Sequence, residues 1–181
     1  MSSLLIIPML PIEREIIEKL SAPLQKRLHL TIDIHDENII SPMHAFDFTR
    51  NQYNSSVLLS HILEQFKYYN GKIVGITGVD LFVPVLTYVF GEAQLDGKAA
   101  MVSTFRLDDA LYGYPQNQNL FEERILKEMV HEIGHTFGLL HCVDYQCVMH
   151  SSTSVEEIDV KGNNFCTECG ENVMNMQKKN C

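Results

Sequence analysis

The side chains best suited to chemistry stand in one run: His131-Glu132-Ile133-Gly134-His135-Thr136-Phe137-Gly138-Leu139-Leu140-His141. On a helix, residues i and i+4 lie on one face, so His131 and His135 can reach a single ion. Glu132, beside the first of them, can touch a water on that ion. Gly138 falls where the helix must stop, because glycine tolerates the left-handed conformation of a sharp turn. That turn can return His141 to the ion as a third ligand. Three protein ligands leave the fourth position for water, the arrangement of catalytic rather than structural zinc. Zinc lowers the pKa of bound water to about 7 and polarises a scissile carbonyl, so it would also stabilise an oxyanion. Glu132 is then placed to take the water's proton and pass it to the leaving amine. Tyr145 and His150 are candidates for a second oxyanion donor, although surface or packing roles would also explain them. A bare HExxH can be a helix with solvent-facing histidines. The glycine and third histidine at fixed offsets reduce a chance match to on the order of one in 10⁵.

A second cluster follows at once. Cys142 and Cys147 stand beside the third histidine, and Cys166 and Cys169 form a CxxC pair. Two pairs of thiolates suit a closed, tetrahedral, structural zinc site. Two disulfides or four free thiols are the alternatives; CxxC spacing and the absence of an export signal favour zinc. Cys181 is expected to be unliganded at the chain end. Met149, eight residues past His141, is either core filler or packing beneath the histidines.

These groups need elements to hold them. Leu4 to Leu10 reads as a short buried strand. Pro11 can open a helix, with Ile12, Ile16, Ile17 and Leu20 at helical spacing and Pro23 interrupting. Leu28 to His35 alternates as a strand, and Ser41 to Asn54 reads as a loop. From Ser56 the pattern is helical until Asn70-Gly71. Lys72 to Thr77, Leu86 to Phe90 and Ala99 to Phe105 read as strands, with a turn at Asp96-Gly97. Asn117 to Asn119 leads into a long helix, with Asn119 and Glu122 in capping-box spacing. Strands and helices thus alternate up to the histidine run, an α/β (α+β) pattern. All five cysteines fall in the last quarter, four of them within 28 residues.

Composition bounds the rest. The chain has 181 residues, enough for one core, with 45% hydrophobic and 20% charged residues. A formal net charge of -9 gives little electrostatic help toward nucleic acid or anionic membrane, so neither is an expected partner. No apolar stretch approaches the roughly 20 residues of a membrane span. The apolar start has no basic residues before it, so no signal peptide is read there and the cytoplasm is the expected location.

The histidine run with its methionine resembles the metzincins, and HExxHxxGxxHC…CxM…CxxC resembles the archaemetzincins among them. Gly78 to Phe82, Phe90 to Ala93 and Ser103 to Leu107 also resemble the family's pattern, so the likeness covers about residues 72 to 170 well. The resemblance implies a single metzincin-like domain. Its upper part, about 1–138, would hold a twisted mixed sheet and two long helices. Its lower part, about 139–181, would hold the methionine turn at Met149 and a C-terminal helix. A peptide substrate would lie between them and pair with an edge strand, for which Ala99 to Ser103 is the candidate. The resemblance also implies two Zn²⁺ per chain: a catalytic one on His131, His135 and His141, and a structural one on Cys142, Cys147, Cys166 and Cys169. The expected activity is zinc-dependent peptide hydrolysis. A non-catalytic peptide-binding module and a hydrolase of non-peptide amides are the competing readings. Glu132 argues against the first, since a pure binding site has no use for a general base.

Overall fold

The computed structural model describes residues 3–36 and 40–179. In chain order its elements are β1 (Ser3–Pro8), α1 (Arg14–Leu28), β2 (Thr31–Ile34), β3 (Phe46–Asp47), β4 (Gln52–Asn54), α2 (Ser55–Gln65) and β5 (Lys72–Thr77). They continue with β6 (Leu81–Phe82), β7 (Gly91–Ala93), β8 (Ala99–Ser103), α3 (Gln118–Thr136), α4 (Val155–Val160) and α5 (Thr167–Lys179). Leu4 to Ile7 are all buried because β1 has parallel neighbours on both edges and helices on both faces. The main sheet runs β2-β1-β5-β8-β7, parallel except for the β7 edge. Strand alternation splits its side chains between two cores. Leu4, Ile6, Val74, Ile76, Ala100 and Val102 pack toward α1 and α3. Leu5, Ile7, Ile73 and Met101 pack toward α2. The result is an α/β architecture with a mixed sheet between helices.

Several elements differ from the sequence expectation. The first helix begins at Arg14 and runs through Pro23. The bond that Pro23 cannot donate would have gone to the carbonyl of exposed Lys19, and Leu24 and Leu28 continue the buried stripe beyond it. The following strand therefore starts at Thr31, not Leu28. Ser41 to Asn54 is not a plain loop: it forms a 3-10 turn at Pro42–Ala45 and the strands β3 and β4, too short to show periodicity. The second helix ends at Gln65, ahead of Asn70-Gly71. Leu86 to Phe90 is not a strand. Arg50 Nη2 donates to the carbonyls of Leu86 (2.7 Å) and Thr87 (3.0 Å), Gln52 Nε2 also donates to Thr87, and only Val89 bridges to Leu81. Strand β8 stops at Ser103, and Phe105–Leu107 turns as 3-10 helix. The cap of α3 is Asn117, whose side chain accepts from the Leu120 N–H at 3.2 Å; Glu122 instead accepts from Gln118 at 2.8 Å.

The long helix α3 is buried on nearly all sides along its second half. Ile125, Met129, Val130 and Ile133 face the sheet core. Its other side carries charge, and that charge is matched. Arg124 donates twice to Asp159, at 2.7 Å each, once to Asp109 at 2.7 Å and once to the Leu107 carbonyl at 2.8 Å. Those bonds, to Asp159 above all, raise the guanidinium pKa further. Lys127 Nζ donates to the carbonyls of Ile158 (2.9 Å) and Asp159 (3.1 Å), capping the end of α4. Buried cations on α3 thus clamp α4 to it. No helix among the described residues is long and apolar enough to cross a membrane.

Removing Arg124 leaves two carboxylates facing an interior without their partner, which costs about 2–4 kcal/mol for groups this partly exposed. Arg124→Met should therefore lower the melting temperature by roughly 5–15 °C in a chain of this size. Arg124→Lys should recover only part, since an ammonium cannot reproduce the fork. Thermal unfolding followed by circular dichroism checks this, and a change under 2 °C for Arg124→Met would remove the clamp from the stability account.

Candidate metal centre and active-site cleft

The stripe Glu128, His131, Glu132 and His135 follows i, i+3, i+4, i+7 spacing, so one face of α3 presents all four to a cleft of about 580 Å³. Past Thr136 the helix ends in a Schellman turn. The Leu139 N–H donates to the Gly134 carbonyl (3.2 Å) and the Gly138 N–H to that of His135 (2.9 Å). Gly138 sits at φ +84°, which a residue with a Cβ adopts only under strain. Lys72 Nζ reinforces the helix end by donating to the Thr136 carbonyl at 2.7 Å. This turn brings His141 to the mouth of the cleft, with ring centroids 5.4 Å from His131 and 5.1 Å from His135.

The three histidines each offer a nitrogen, and these nitrogens all lie within 4.8 Å of one another. His131 Nδ1 donates to the Val148 carbonyl at 2.9 Å and His135 Nδ1 to that of Leu139 at 2.7 Å. Carbonyls only accept, so both protons sit on Nδ1 and both Nε2 atoms carry lone pairs. Burial pushes all three imidazoles below their ordinary pKa, His131 most strongly. Neutral His131 and His135 then point two lone pairs at each other across 3.1 Å. That contact is repulsive unless a cation lies between them. Two tetrahedral ligands at about 2.0–2.1 Å from zinc would stand roughly 3.3 Å apart, close to the spacing found. The donor set fits the ion.

Glu132 is buried, and burial raises its carboxyl pKa well above the usual range, with Glu128 adding to the effect and Lys161 opposing it. It packs against Gly91 of β7, where a Cβ would lie 2.5 Å from Glu132 Cγ. Beneath the histidines lies Met149, fully buried, its sulfur against Gly134: a Cβ there would lie 2.4 Å from Met149 Sδ and 3.2 Å from the Phe165 ring. Met149 therefore packs under the histidine turn. Tyr145 and His150 do not line the cleft. The His150 ring lies against Tyr145, and its Nδ1 bonds to the Cys142 carbonyl at 2.8 Å.

Cys142, Cys147, Cys166 and Cys169 are free and converge, their sulfurs all within 4.8 Å of one another. Cys142 Sγ and Cys166 Sγ are 3.9 Å apart, where two thiolates on a tetrahedral zinc would stand roughly 3.8 Å apart. Burial raises the Cys147 and Cys169 thiols, whereas the backbone of Cys169 lowers Cys166. Cys181 lies outside the described residues.

The edge strand is not Ala99 to Ser103. β8 is flanked by β5 and β7, so the edge at the cleft is β7, and Ala99–Ser103 has no free side to offer a peptide. Two further cleft residues were not evident in the sequence. Glu128 could have been found from its helical spacing to His131 and His135. Lys161, 20 residues past His141, carries no such signal.

A sheet whose edge borders a cleft, with a helix stripe of two histidines and a glutamate and a third histidine after a glycine turn, defines a zinc-peptidase architecture. The family model of Peptidase family M54 matches residues 7–175. The archaemetzincin of Methanocaldococcus jannaschii is 41% identical over 128 residues, 71% of this chain and 69% of that protein. Among solved structures, a zinc-dependent peptidase from Methanocorpusculum labreanum superposes with a TM-score of 0.85 at 28% identity, over 94% of this chain and 100% of that one. The archaemetzincin of Archaeoglobus fulgidus, solved with malonate, gives a TM-score of 0.80 at 33% identity, over 94% and 99%. The chain belongs to peptidase family M54, the archaemetzincins, and is a zinc-dependent metallopeptidase.

The contact between Gly134 and Met149 yields a test of the packing under the histidines. Gly134→Ala should cost about 1–3 kcal/mol by overpacking. In the background of Met149→Ala the same substitution should cost at least about 1 kcal/mol less, because the clashing sulfur is gone. Urea unfolding of the two single variants and the double variant measures this, and additive costs would show that the two residues do not press on each other.

Proposed function

We propose that the enzyme hydrolyses peptide bonds with a catalytic zinc on His131, His135 and His141, Glu132 as general base, and a second, structural zinc on the four cysteines. The facing Nε2 lone pairs 3.1 Å apart carry the first assignment. Zinc bound there would activate a water near neutral pH and polarise the scissile carbonyl. The carbonyls of Val148 and Leu139 hold His131 and His135 in the tautomer that leaves Nε2 to the metal. Glu132 receives the water's proton on its carboxylate and returns it to the leaving amine. Its raised pKa suits a group that must bind that proton and release it. Strand β7, with one edge free, offers backbone groups to an extended peptide along the cleft. Two parts meet there: about 1–138, with the sheet and α1 to α3, and about 139–181, with Met149, α4 and α5. The cysteines tie the second part together, since Cys142 and Cys147 precede Met149 and Cys166 and Cys169 sit at the start of α5. The cytoplasm, where these thiols stay reduced, suits such a site.

Native mass spectrometry under reducing conditions should find two zinc ions per chain, and Glu132→Ala should keep both while losing about 10²-fold or more in peptide hydrolysis. Unchanged cleavage by that variant would falsify the base assignment; a single ion in the wild type would remove the second site.

A closed thiolate site contributes its binding energy to folding. Cys166→Ser with Cys169→Ser should lower the melting temperature and bring zinc down to one, whereas His135→Ala should abolish hydrolysis with a smaller loss of stability. Thermal unfolding and zinc stoichiometry, measured on both side by side, separate the two metals. Wild-type stability and two zinc ions in the cysteine variant would overturn the structural role.

A further inference from the structure

The rim and the floor of the cleft differ in chemistry. Leu86, Leu95 and Leu140 stand exposed around its mouth. Beyond Glu132, one helical turn toward the start of α3, the lining is Glu128, Lys161 and Ser152. Glu128 and Lys161 are among the most buried charged side chains of the protein, 4% and 1% exposed. Lys161 Nζ lies 2.8 Å from Glu128 Oε1 and 3.4 Å from the His150 carbonyl. The pair is close but misaligned: Glu128 Oε1 receives no hydrogen bond of good geometry, and neither does Ser152 Oγ, although both atoms are buried. Lys161 has three donors and two such neighbours. The floor therefore keeps both donor and acceptor capacity on two opposite charges.

We propose that Glu128 and Lys161 form a side-chain subsite that selects a neutral carboxamide, glutamine or asparagine, at one position beside the scissile bond. This rests on the peptidase reading above. Water can serve the floor atoms in the free enzyme, but a substrate side chain that enters displaces it. An apolar side chain leaves the buried polar atoms unpaired, which a site built for hydrogen bonds rejects strongly. A carboxylate meets Glu128, and an ammonium meets Lys161, so either adds an unbalanced charge to a buried pair. A carboxamide has an oxygen for Lys161 and an N–H for Glu128 and adds no charge. Glu128 and Lys161 are specificity residues here, touching substrate but not the reacting atoms.

The test uses the zinc-loaded wild type and a peptide library randomised around the cut, with products aligned by mass spectrometry. One position flanking the cut should favour glutamine and asparagine over leucine and methionine by about tenfold or more. Glu128→Met with Lys161→Met removes both charges together, so the fold and zinc content, checked by melting and native mass spectrometry, should persist. In that variant the preference at the same position should invert to leucine and methionine. A binding measurement stands apart from turnover: zinc-loaded Glu132→Ala, titrated calorimetrically with matched peptides, should bind the glutamine peptide more tightly than the leucine, glutamate or lysine peptide. A flat profile, a preference for glutamate or lysine, or a preference that survives the double variant overturns the subsite. Selective binding without any wild-type cleavage would keep the subsite and sink the hydrolysis reading; no binding and no cleavage would sink both.

Discussion

Two imidazole nitrogens held 3.1 Å apart, each with its lone pair toward the other, are the constraint on which this structure turns. Left alone, the rings would rotate or one would protonate. Neither is free to happen. The Nδ1 atoms are tied to the Val148 and Leu139 carbonyls, and burial disfavours a second proton. The protein thus holds two lone pairs in a conflict that a divalent cation between them would relieve. Each neighbouring feature keeps the rings from escaping it. Helix α3 fixes the i, i+4 spacing, the Schellman turn at Gly138 returns the Leu139 carbonyl, and Met149 fills the space beneath Gly134.

That arrangement needs α3 to be rigid and enclosed, which explains the charged residues along it. A helix packed only on the sheet would expose its histidines to water. Here α4 covers the far side, and the cover joins buried Ile158, which belongs to the same apolar core as Met129 and Ile133, to a set of polar contacts. Arg124 and Lys127 engage Asp159 and the last carbonyls of α4, and Glu128 pairs with Lys161 just after it. Ion pairs of this kind add little net stability over apolar packing, but removing one partner is costly, so they favour one seating of α4 over others.

What the sequence made legible is which side chains local spacing brings together. The convergence of His131 and His135 follows from helical geometry, the turn at Gly138 from its being a glycine at the helix end, and the cluster of four cysteines from their spacing. Strand β5 was legible to the residue because it is a buried apolar run ending at a turn. What depended on neighbours was not legible. Ala99 to Ser103 has the composition of a strand, but nothing in it says whether both its edges are paired; β7, the true edge, has only three residues and no apolar pattern. Leu86 to Phe90 looks extended, yet its carbonyls are taken by Arg50 and Gln52 from 36 and 35 residues earlier. Pro23 reads as a stop, but the buried stripe through Leu24 and Leu28 outweighs one lost hydrogen bond. Lys161 shows the same limit at the site itself, since only the fold brings it to Glu128.

The histidine cluster and the cysteine cluster are not independent. His141 and Cys142 are consecutive, so one backbone segment delivers a side chain to each. That segment is closed on itself by the Cys142 N–H donating to the Met149 carbonyl at 3.0 Å and by His150 Nδ1 bonding to the Cys142 carbonyl at 2.8 Å. The next residues back from Met149 include Val148, whose carbonyl orients His131, and Cys147, whose sulfur accepts from the Cys166 N–H at 3.3 Å. A displacement of the cysteine cluster would therefore reach the histidine cluster by two routes, through His141 directly and through Val148 to His131. Of the three histidines, His141 has no helix behind it, so its position is set by the Gly138 turn on one side and the cysteine loop on the other. The order in the chain, third histidine then first cysteine, ties the position of His141 to that of the cysteine cluster.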